Sequence, residues 1–185
     1  MIINKCLTCF DGPGCTAVHT LHVGVETKGQ DGMYLCYELT GDIAQIRIPA
    51  PQTPAAVEGL WKNTCFELFI AVEGDSGYHE FNFSPSGQWA IYAFSGYRLR
   101  SFWKTNQAPD ISVHQTMGSL RLEALINSAD LPANNAAKML QLGLSAVIEA
   151  NNGKRSYWAL SHPSLQPDFH HRAGFIGILE PWEAV

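Results

Sequence analysis

Three adjacent β-strands are predicted by the segment Gly59–Tyr97, whose sequence is GLWKNTCFELFIAVEGDSGYHEFNFSPSGQWAIYAFSGY. Cys65–Val72 and Tyr78–Phe83 are rich in aromatic and β-branched residues, and the glycine-containing run between them is typical of a hairpin turn. Ser84–Gly87 provides a second turn, which leads into a third strand beginning near Gln88. The segment is therefore expected to form an antiparallel meander at the centre of the fold.

Short strands separated by turn signals continue on both sides of this meander. They are predicted at residues 19–27, 33–40, 43–48, 111–116, 119–126, 142–150, 156–160 and 175–179. A helix of one or two turns is predicted at residues 133–140, and residues 49–59 are expected to be a loop. About ten short strands with turns every 8–12 residues or so are typical of a β-sandwich or barrel. We predict one all-β domain over residues 1–185, an antiparallel β-sandwich with at most one short helix.

The composition argues against several classes of protein. The 185 residues are 46% hydrophobic, which is enough for one well-filled core. With 16% charged residues, a net charge of −5 and no basic stripe, nucleic acid is not an expected partner. No apolar run approaches the roughly 20 residues that cross a bilayer, so no membrane partner is expected. The N-terminal residues lack a secretory apolar region, which predicts a cytoplasmic protein with reduced cysteines.

Alternation along the meander predicts which side chains share a face. Successive side chains of a strand point to opposite sides, so the apolar positions of Cys65–Val72 are expected to face the core. The opposite face carries two acids, a phenol and an amide: Glu67, Glu80, Tyr78 and Asn82. If Phe83 pairs with Gln88, then Trp89 joins that face, whereas a slip by one residue would move it away. Such a face is suited to binding hydroxyl groups, and an ordinary solvated sheet face is the alternative.

Several motifs in and beyond the meander resemble the bacterial DOMON-like family, which is related to family 9 carbohydrate-binding modules. They are Leu60-Trp61, Thr64–Glu67, Tyr78–Gly87, Trp89-Ala90, Phe94–Arg98, Ser156–Leu160, His162-Pro163 and Pro167–His171. The resemblance implies a jelly-roll or immunoglobulin-like β-sandwich whose relatives bind sugars or haem without performing hydrolysis. Members often carry Cys-His-Pro near the N-terminus, where this chain has Cys9-Phe10-Asp11-Gly12-Pro13, so no role of that histidine carries over.

The predicted face and the resemblance together point to a small-molecule ligand, a saccharide or a sugar derivative, bound without chemistry. In this hypothesis Trp61 and Trp89 stack on the ligand, and Arg98 orients a charged substituent. Glu67, Glu80 and Asn82 hydrogen-bond the ligand, beside Tyr78 on the same surface. The candidate walls of the site are Trp158, His162, Asp168 and His170.

Other functions are weighed against this hypothesis. A haem-binding redox module is one alternative, suggested by the superfamily and by the number of histidines and methionines, residue types that ligate haem iron. A hydrolase or transferase using Glu67 and Glu80 is another, because carboxyls on adjacent strands lie close enough for acid–base catalysis. Arg98 and Arg100 either clamp an anion or are solvated charges, and an unpaired edge strand would permit a homodimer.

Two histidine-containing clusters have plainer interpretations. Cys6, Cys9, Cys15, His19 and His22 lie close together in sequence, but zinc-finger spacings place a longer loop between ligand pairs. Two histidines three apart on a strand also point to opposite faces, so no metal site is predicted. The loop that holds His162, Asp168, His170 and His171 is either a binding loop or one tied down by backbone hydrogen bonds.

Overall fold

The computed structural model describes residues 2–10, 16–105, 107–134 and 138–180. These residues form thirteen β-strands and five three-residue 3₁₀ helices. The strands are β1 Ile2–Cys6, β2 Thr8–Cys9, β3 Val18–Thr27, β4 Met33–Gly41, β5 Cys65–Val72, β6 Tyr78–Phe83, β7 Trp89–Gly96, β8 Leu99–Ser101, β9 Asp110–Gln115, β10 Ser119–Ile126, β11 Leu140–Glu149, β12 Arg155–Ala159 and β13 Gly177–Leu179. The 3₁₀ helices are Gly29–Asp31, Ile43–Gln45, Leu60–Lys62, Ser128–Asp130 and Arg172–Gly174.

The strands form two antiparallel sheets packed face to face. The smaller sheet has the order β1-β3-β4-β10-β9. The larger sheet has the order β2-β12-β11-β5-β6-β7-β8, with β13 paired to one end of β11. The prediction of an all-β antiparallel sandwich is confirmed, with more strands than the ten expected. In the described part of the chain no helix is long and apolar enough to cross a membrane.

A single large hydrophobic cluster lies between the two sheets. The smaller sheet supplies alternate residues such as Leu21, Leu39 and Leu122, and the larger sheet supplies Phe66 and Phe81. Because period-two alternation places every second side chain inward, the apolar positions of β5 predicted to face the core do so. The opposite side of the larger sheet is left for polar and aromatic residues, and we call it the outer face.

Two sequence predictions of local structure are wrong or only partly testable. Residues 43–48 are not a strand, since Ile43–Gln45 is a 3₁₀ helix and Ile46 makes an isolated bridge with Ala150. Ile43 and Ile46 are both buried, and a spacing of three suits a 3₁₀ turn, in which such side chains lie one above the other. Within the predicted helix at 133–140, the described residues are not helical and Leu140 begins β11, while residues 135–137 lie outside the described part.

Candidate functional site

The outer face of the larger sheet brings the predicted polar side chains together. Glu67 of β5 lies opposite Asn82 of β6, and Phe69 lies opposite Glu80. Residues directly opposite in a ladder share a face, and so do residues two apart in one strand. Glu67, Glu80, Asn82 and Tyr78 are therefore on one surface, as the alternation predicted.

Trp89 does not belong to this surface, so the predicted register of the third strand is wrong by one residue. The turn closes through Ser84 and Gln88, whose backbone hydrogen bond is 2.9 Å long. Trp89 consequently pairs with Phe83, and its side chain points away from Glu80. It is 9% exposed, and its indole nitrogen is buried without a hydrogen-bond partner in the described part of the chain.

A cavity of about 620 Å³ opens on the outer face beside Glu67 and Glu80. Its aromatic lining comes from three strands, one 3₁₀ helix and one loop: Trp61, Phe69, Tyr92, Phe94, Tyr157 and Phe169. Its other lining residues are Glu58, Glu67, Glu80, Arg98, Arg100, Val147, Gln166, Pro167 and His170. Aromatic walls around a few converging polar groups, at a volume of this order, are the usual features of a small-molecule site.

Glu67 and Glu80 form the buried acidic part of the cavity lining. They are 3% and 5% exposed. Asn82 donates from Nδ2 to Oε1 of Glu80 at 2.7 Å, and Ser145 donates a longer bond to Oε2 of Glu67 at 3.4 Å. Burial, and then the charge of Glu80, raise the pKa of Glu67 well above its ordinary value. Burial also raises the pKa of Glu80, against the hydrogen bond from Asn82 and the charges of the nearby arginines.

His170 connects Glu80 to Tyr78. Its Nδ1 lies 2.8 Å from the hydroxyl of Tyr78, and its Nε2 lies 3.6 Å from Oε2 of Glu80. Burial lowers the pKa of His170 to about 4, so the imidazole is neutral at pH 7. With the proton on Nε2, the ring accepts from Tyr78 and faces Glu80 with a donor. Tyr78 in turn accepts a hydrogen bond from the backbone N–H of Arg98 at 3.0 Å.

Asp168 ties its loop to the turn between β7 and β8. It accepts a hydrogen bond from the Arg98 guanidinium at 2.8 Å and another from the Tyr97 hydroxyl at 2.7 Å. Burial alone would raise the pKa of Asp168, but these hydrogen bonds outweigh it and lower that pKa. Arg98 adopts a φ of 54°, in the left-handed region that non-glycine residues rarely occupy. The ion pair thus holds a strained turn and the loop of His170 in one arrangement.

Trp158 and His162, predicted as walls, lie away from the cavity. Trp158 is part of the core between the sheets, and its indole donates to the hydroxyl of Ser156 at 3.0 Å. The neighbouring residue Tyr157 points the other way and lines the cavity instead. His162 donates from Nε2 to the carbonyl of Thr8 at 2.8 Å, which ties its loop to β2. Both residues therefore serve structural contacts.

The N-terminal cysteines and histidines are spread over separate strands. Cys6 and His22 are paired across β1 and β3, Cys9 lies on β2 of the other sheet, and Cys15 is outside the described residues. Cys6, Cys36 and Cys65 are free thiols. Among the residues with described positions, no group of three or more His, Cys, Asp or Glu side chains is arranged to hold a metal ion.

Several lining residues were not among the predicted binding residues. Tyr92 and Phe94 follow from alternation along β7 once the register is corrected, because Tyr92 lies opposite Glu80. Tyr157 reaches the site only because β12 and β5 both pair with β11, which is a non-local pairing. Glu58 and Phe169 lie on loops, where periodicity carries no signal.

No family model and no curated protein matches the sequence. The fold is similar to the crystal structure of a candidate carbohydrate-binding protein from Bacteroides uniformis ATCC 8492, with a TM-score of 0.69. The two sequences are 17% identical, and the match covers 97% of this chain and 86% of the other. At 17% identity the similarity shows that the two proteins share a fold, an antiparallel β-sandwich.

Proposed function

We propose that this protein binds a saccharide or sugar derivative in the cavity on the outer face and does not transform it. The observation that carries the proposal is the convergence of aromatic side chains and buried carboxyls on one cavity of about 620 Å³. Sugars present both hydroxyl groups and apolar C–H faces. A ligand of that kind needs polar and flat apolar surfaces at the same place.

The buried carboxyls suit ligand hydroxyl groups. Because burial raises the pKa of Glu67, it favours the neutral carboxyl, which can both donate and accept a hydrogen bond. Asn82 lies behind Glu80 and orients one of its oxygens. Two such groups on a rigid sheet can hold adjacent hydroxyls with little loss of conformational entropy on binding.

The aromatic side chains supply the complementary surface. Trp61 lies on the 3₁₀ helix Leu60–Lys62 beside the cavity and is 47% exposed, so its indole can cover a sugar ring. Gly59, with a φ of 77°, makes the turn that starts this helix. Tyr157 and Phe169 lie in ring contact at 6.2 Å in another part of the lining. Of the two tryptophans predicted to stack on the ligand, Trp61 lines the cavity and Trp89 does not, so Trp61 is the one expected to respond to ligand.

The comparison with the B. uniformis protein supports this proposal at the level of fold. That protein is a candidate carbohydrate-binding protein, and 97% of the present chain aligns with its β-sandwich. The resemblance of the meander motifs to DOMON-like domains and family 9 modules points the same way.

Isothermal titration calorimetry with a panel of hexoses, pentoses and disaccharides tests the proposal. We expect at least one to bind, and Trp61→Ala to weaken that binding about tenfold through the lost stacking surface. Phe102→Ala is the matched control, because Phe102 is 90% exposed and lies outside the cavity. Absence of heat from every saccharide would overturn the proposal.

A hydrolase or transferase using Glu67 and Glu80 is the second candidate. It is favoured by one observation, the burial of two carboxyls at one cavity, which raises the pKa of each in the direction that a general acid at neutral pH requires. It predicts that Glu80→Gln abolishes turnover of some glycoside while ligand affinity survives.

The haem alternative has less support, because both ring nitrogens of His170 already face Tyr78 and Glu80. A Soret band after haem addition would revive it.

A further inference from the structure

Two guanidinium groups, of Arg98 and Arg100, line the cavity. The guanidinium of Arg98 already hydrogen-bonds within the protein, since its Nη2 lies 2.8 Å from Asp168 and its Nε lies 3.3 Å from the Tyr97 hydroxyl. Arg100 lies two residues further along the chain, in β8, and is opposite Phe94 of β7. The two arginines therefore differ in how firmly their charges are already paired.

Arg100 is held in place by an aromatic ring and only loosely by an anion. Its guanidinium carbon lies 3.9 Å from the centroid of the Tyr92 ring, a close stacking distance. Its Nη2 lies 3.4 Å from both carboxylate oxygens of Glu58, at the long end of hydrogen bonding. The side chains of Arg100 and Glu58 are 52% and 77% exposed, and such pairs contribute little.

The acids deeper in the cavity offer little opposition to an anionic ligand. Glu67 and Glu80 are buried, and burial raises the pKa of each, which favours their neutral forms. The neutral carboxyl of Glu67 remains a hydrogen-bond donor toward a sugar hydroxyl. The cavity thus combines a hydroxyl-binding part, in which burial favours neutral carboxyls, with an oriented, weakly paired guanidinium.

We propose that the ligand is an acidic saccharide, a hexuronate, whose carboxylate displaces Glu58 and binds Arg100 while the sugar ring lies over the buried carboxyls. This inference rests on the proposed function, because it names the class of saccharide for the same cavity. A carboxylate matches the planar fork of a guanidinium with two parallel hydrogen bonds. The stack on Tyr92 keeps that fork oriented before the ligand arrives.

Calorimetry with matched pairs of sugars tests the inference: glucose against glucuronate, and galactose against galacturonate, at pH 7 and low salt. We expect each hexuronate to bind about tenfold more tightly than its parent hexose. The preference should shrink at about 1 M NaCl, where the Debye length is about 3 Å. Glucose 6-phosphate is the third arm, because a phosphate also binds guanidinium groups.

Substitutions of Arg100 and of its present partner Glu58 should change the preference for hexuronate over hexose in opposite directions. Arg100→Gln is expected to lower the affinity ratio of hexuronate to hexose from about ten to about one. Glu58→Gln removes the competing carboxylate and should raise that ratio several-fold. Arg121→Gln on the smaller sheet is the matched control and should leave it unchanged, since Arg121 pairs with Glu123 and neither residue lines the cavity.

The outcomes separate this inference from the proposed function. Hexoses that bind as tightly as hexuronates, or more tightly, would overturn the inference and leave saccharide binding standing. Tighter binding of glucose 6-phosphate than of glucuronate would overturn the carboxylate assignment. A preference for hexuronate that survives in Arg100→Gln would overturn the role of Arg100. Failure of every sugar to bind would overturn both proposals.

Discussion

Nε2 of His170 lies 3.6 Å from Oε2 of Glu80, so a largely buried imidazole, 15% exposed, and a buried carboxyl face one another at the cavity. In water the two groups would form an ion pair near pH 6. Here burial lowers the pKa of His170 to about 4 and raises the pKa of Glu80, so both groups are shifted toward their neutral forms. The site therefore favours hydrogen bonds between uncharged groups over an ion pair. Because folding shifts both pKa values, the free energy of unfolding should depend on pH.

Acid should destabilise the protein through His170. The unfolded imidazole takes up a proton below about pH 6.5, while the folded one stays neutral until about pH 4, so the unfolded state binds more protons in that window. We expect the free energy of unfolding to fall by about 2 kcal/mol more in the wild type than in His170→Gln between pH 7 and 4.5. Urea denaturation at several pH values measures this difference.

Two further histidines calibrate that measurement. The pKa of His79 is also lowered by burial to about 4, so the His170→Gln variant should keep part of the acid sensitivity. His114 is exposed on β9, and His114→Gln should follow the wild-type curve at every pH. Parallel curves for His170→Gln and the wild type would contradict the burial of a neutral imidazole.

Glu67 should impose the opposite dependence. Its folded pKa is raised well above the unfolded value of about 4.5, so the folded state binds the extra proton and stability falls as pH rises above that value. Each pH unit in this window should cost the wild type up to about 1.4 kcal/mol relative to Glu67→Gln. Thermal unfolding of both proteins from pH 5 to 8 checks it.

The matched control for this experiment is Glu73→Gln, since Glu73 is exposed in the turn between β5 and β6. We expect Glu73→Gln to retain the wild-type slope, whereas Glu67→Gln has a shallower one. Some slope should persist in Glu67→Gln, because burial also raises the pKa of Glu80. An unchanged slope in Glu67→Gln would show that Glu67 is ionised in the folded protein.

Local periodicity was sufficient to predict two strands of the site and insufficient for the third. Alternation along β5 and β6 correctly placed Glu67 and Glu80 on one face, because both strands are regular and joined by a hairpin. The register of the third strand depended on whether the hairpin turn closes at Phe83 or at Ser84. The observed bond from Ser84 to Gln88 shifts Trp89 to the opposite face, a choice of turn geometry that residue types leave open.

The remaining lining depends on contacts between distant parts of the chain. Val147 and Tyr157 come together at the site because β11 pairs with both β5 and β12. Asp168 was expected near the site, but its partner Arg98 is 70 residues away in sequence. No period or spacing in a single sequence encodes such pairings, so Val147 and Tyr157 could not be predicted as the acidic part was. Trp61, Arg98 and His170, which were predicted as site residues, do line the cavity.

The corrected register predicts different outcomes for two tryptophan substitutions. Trp61 is 47% exposed at the cavity, so Trp61→Ala should weaken saccharide binding and change the melting temperature little. Trp89 is 9% exposed and points away from Glu80, so truncating it should cost stability, about 3–5 kcal/mol for Trp89→Ala. Calorimetric affinity and urea unfolding measured on the same samples separate the two effects.

Trp89→Phe keeps this prediction testable if Trp89→Ala does not fold. It should be less destabilised, and the folded protein should bind saccharide as the wild type does. A loss of affinity in Trp89→Phe without a loss of stability would mean that Trp89 contacts ligand, contrary to its pairing with Phe83.

Gly143 should be required for the aromatic packing next to the site. It lies opposite Phe69 in the pairing of β11 with β5. A Cβ at Gly143 would lie 2.8 Å from Cδ1 of Phe175 and 3.2 Å from Cβ of Phe69, closer than side chains pack. Phe175 is buried, so its ring has little room to yield, and we expect Gly143→Ala to lose about 1–3 kcal/mol in urea unfolding. Gly118→Ala, with nothing within 4 Å of the added methyl, should change stability by less than about 0.5 kcal/mol.

A double-mutant cycle identifies the obstacle at Gly143. Phe175→Leu removes the ring that the added methyl would meet, so the loss in Gly143→Ala plus Phe175→Leu should be smaller than the sum of the two single losses. A coupling of about 1 kcal/mol is expected for groups in direct contact. Strict additivity would show that the methyl is accommodated without meeting the Phe175 ring.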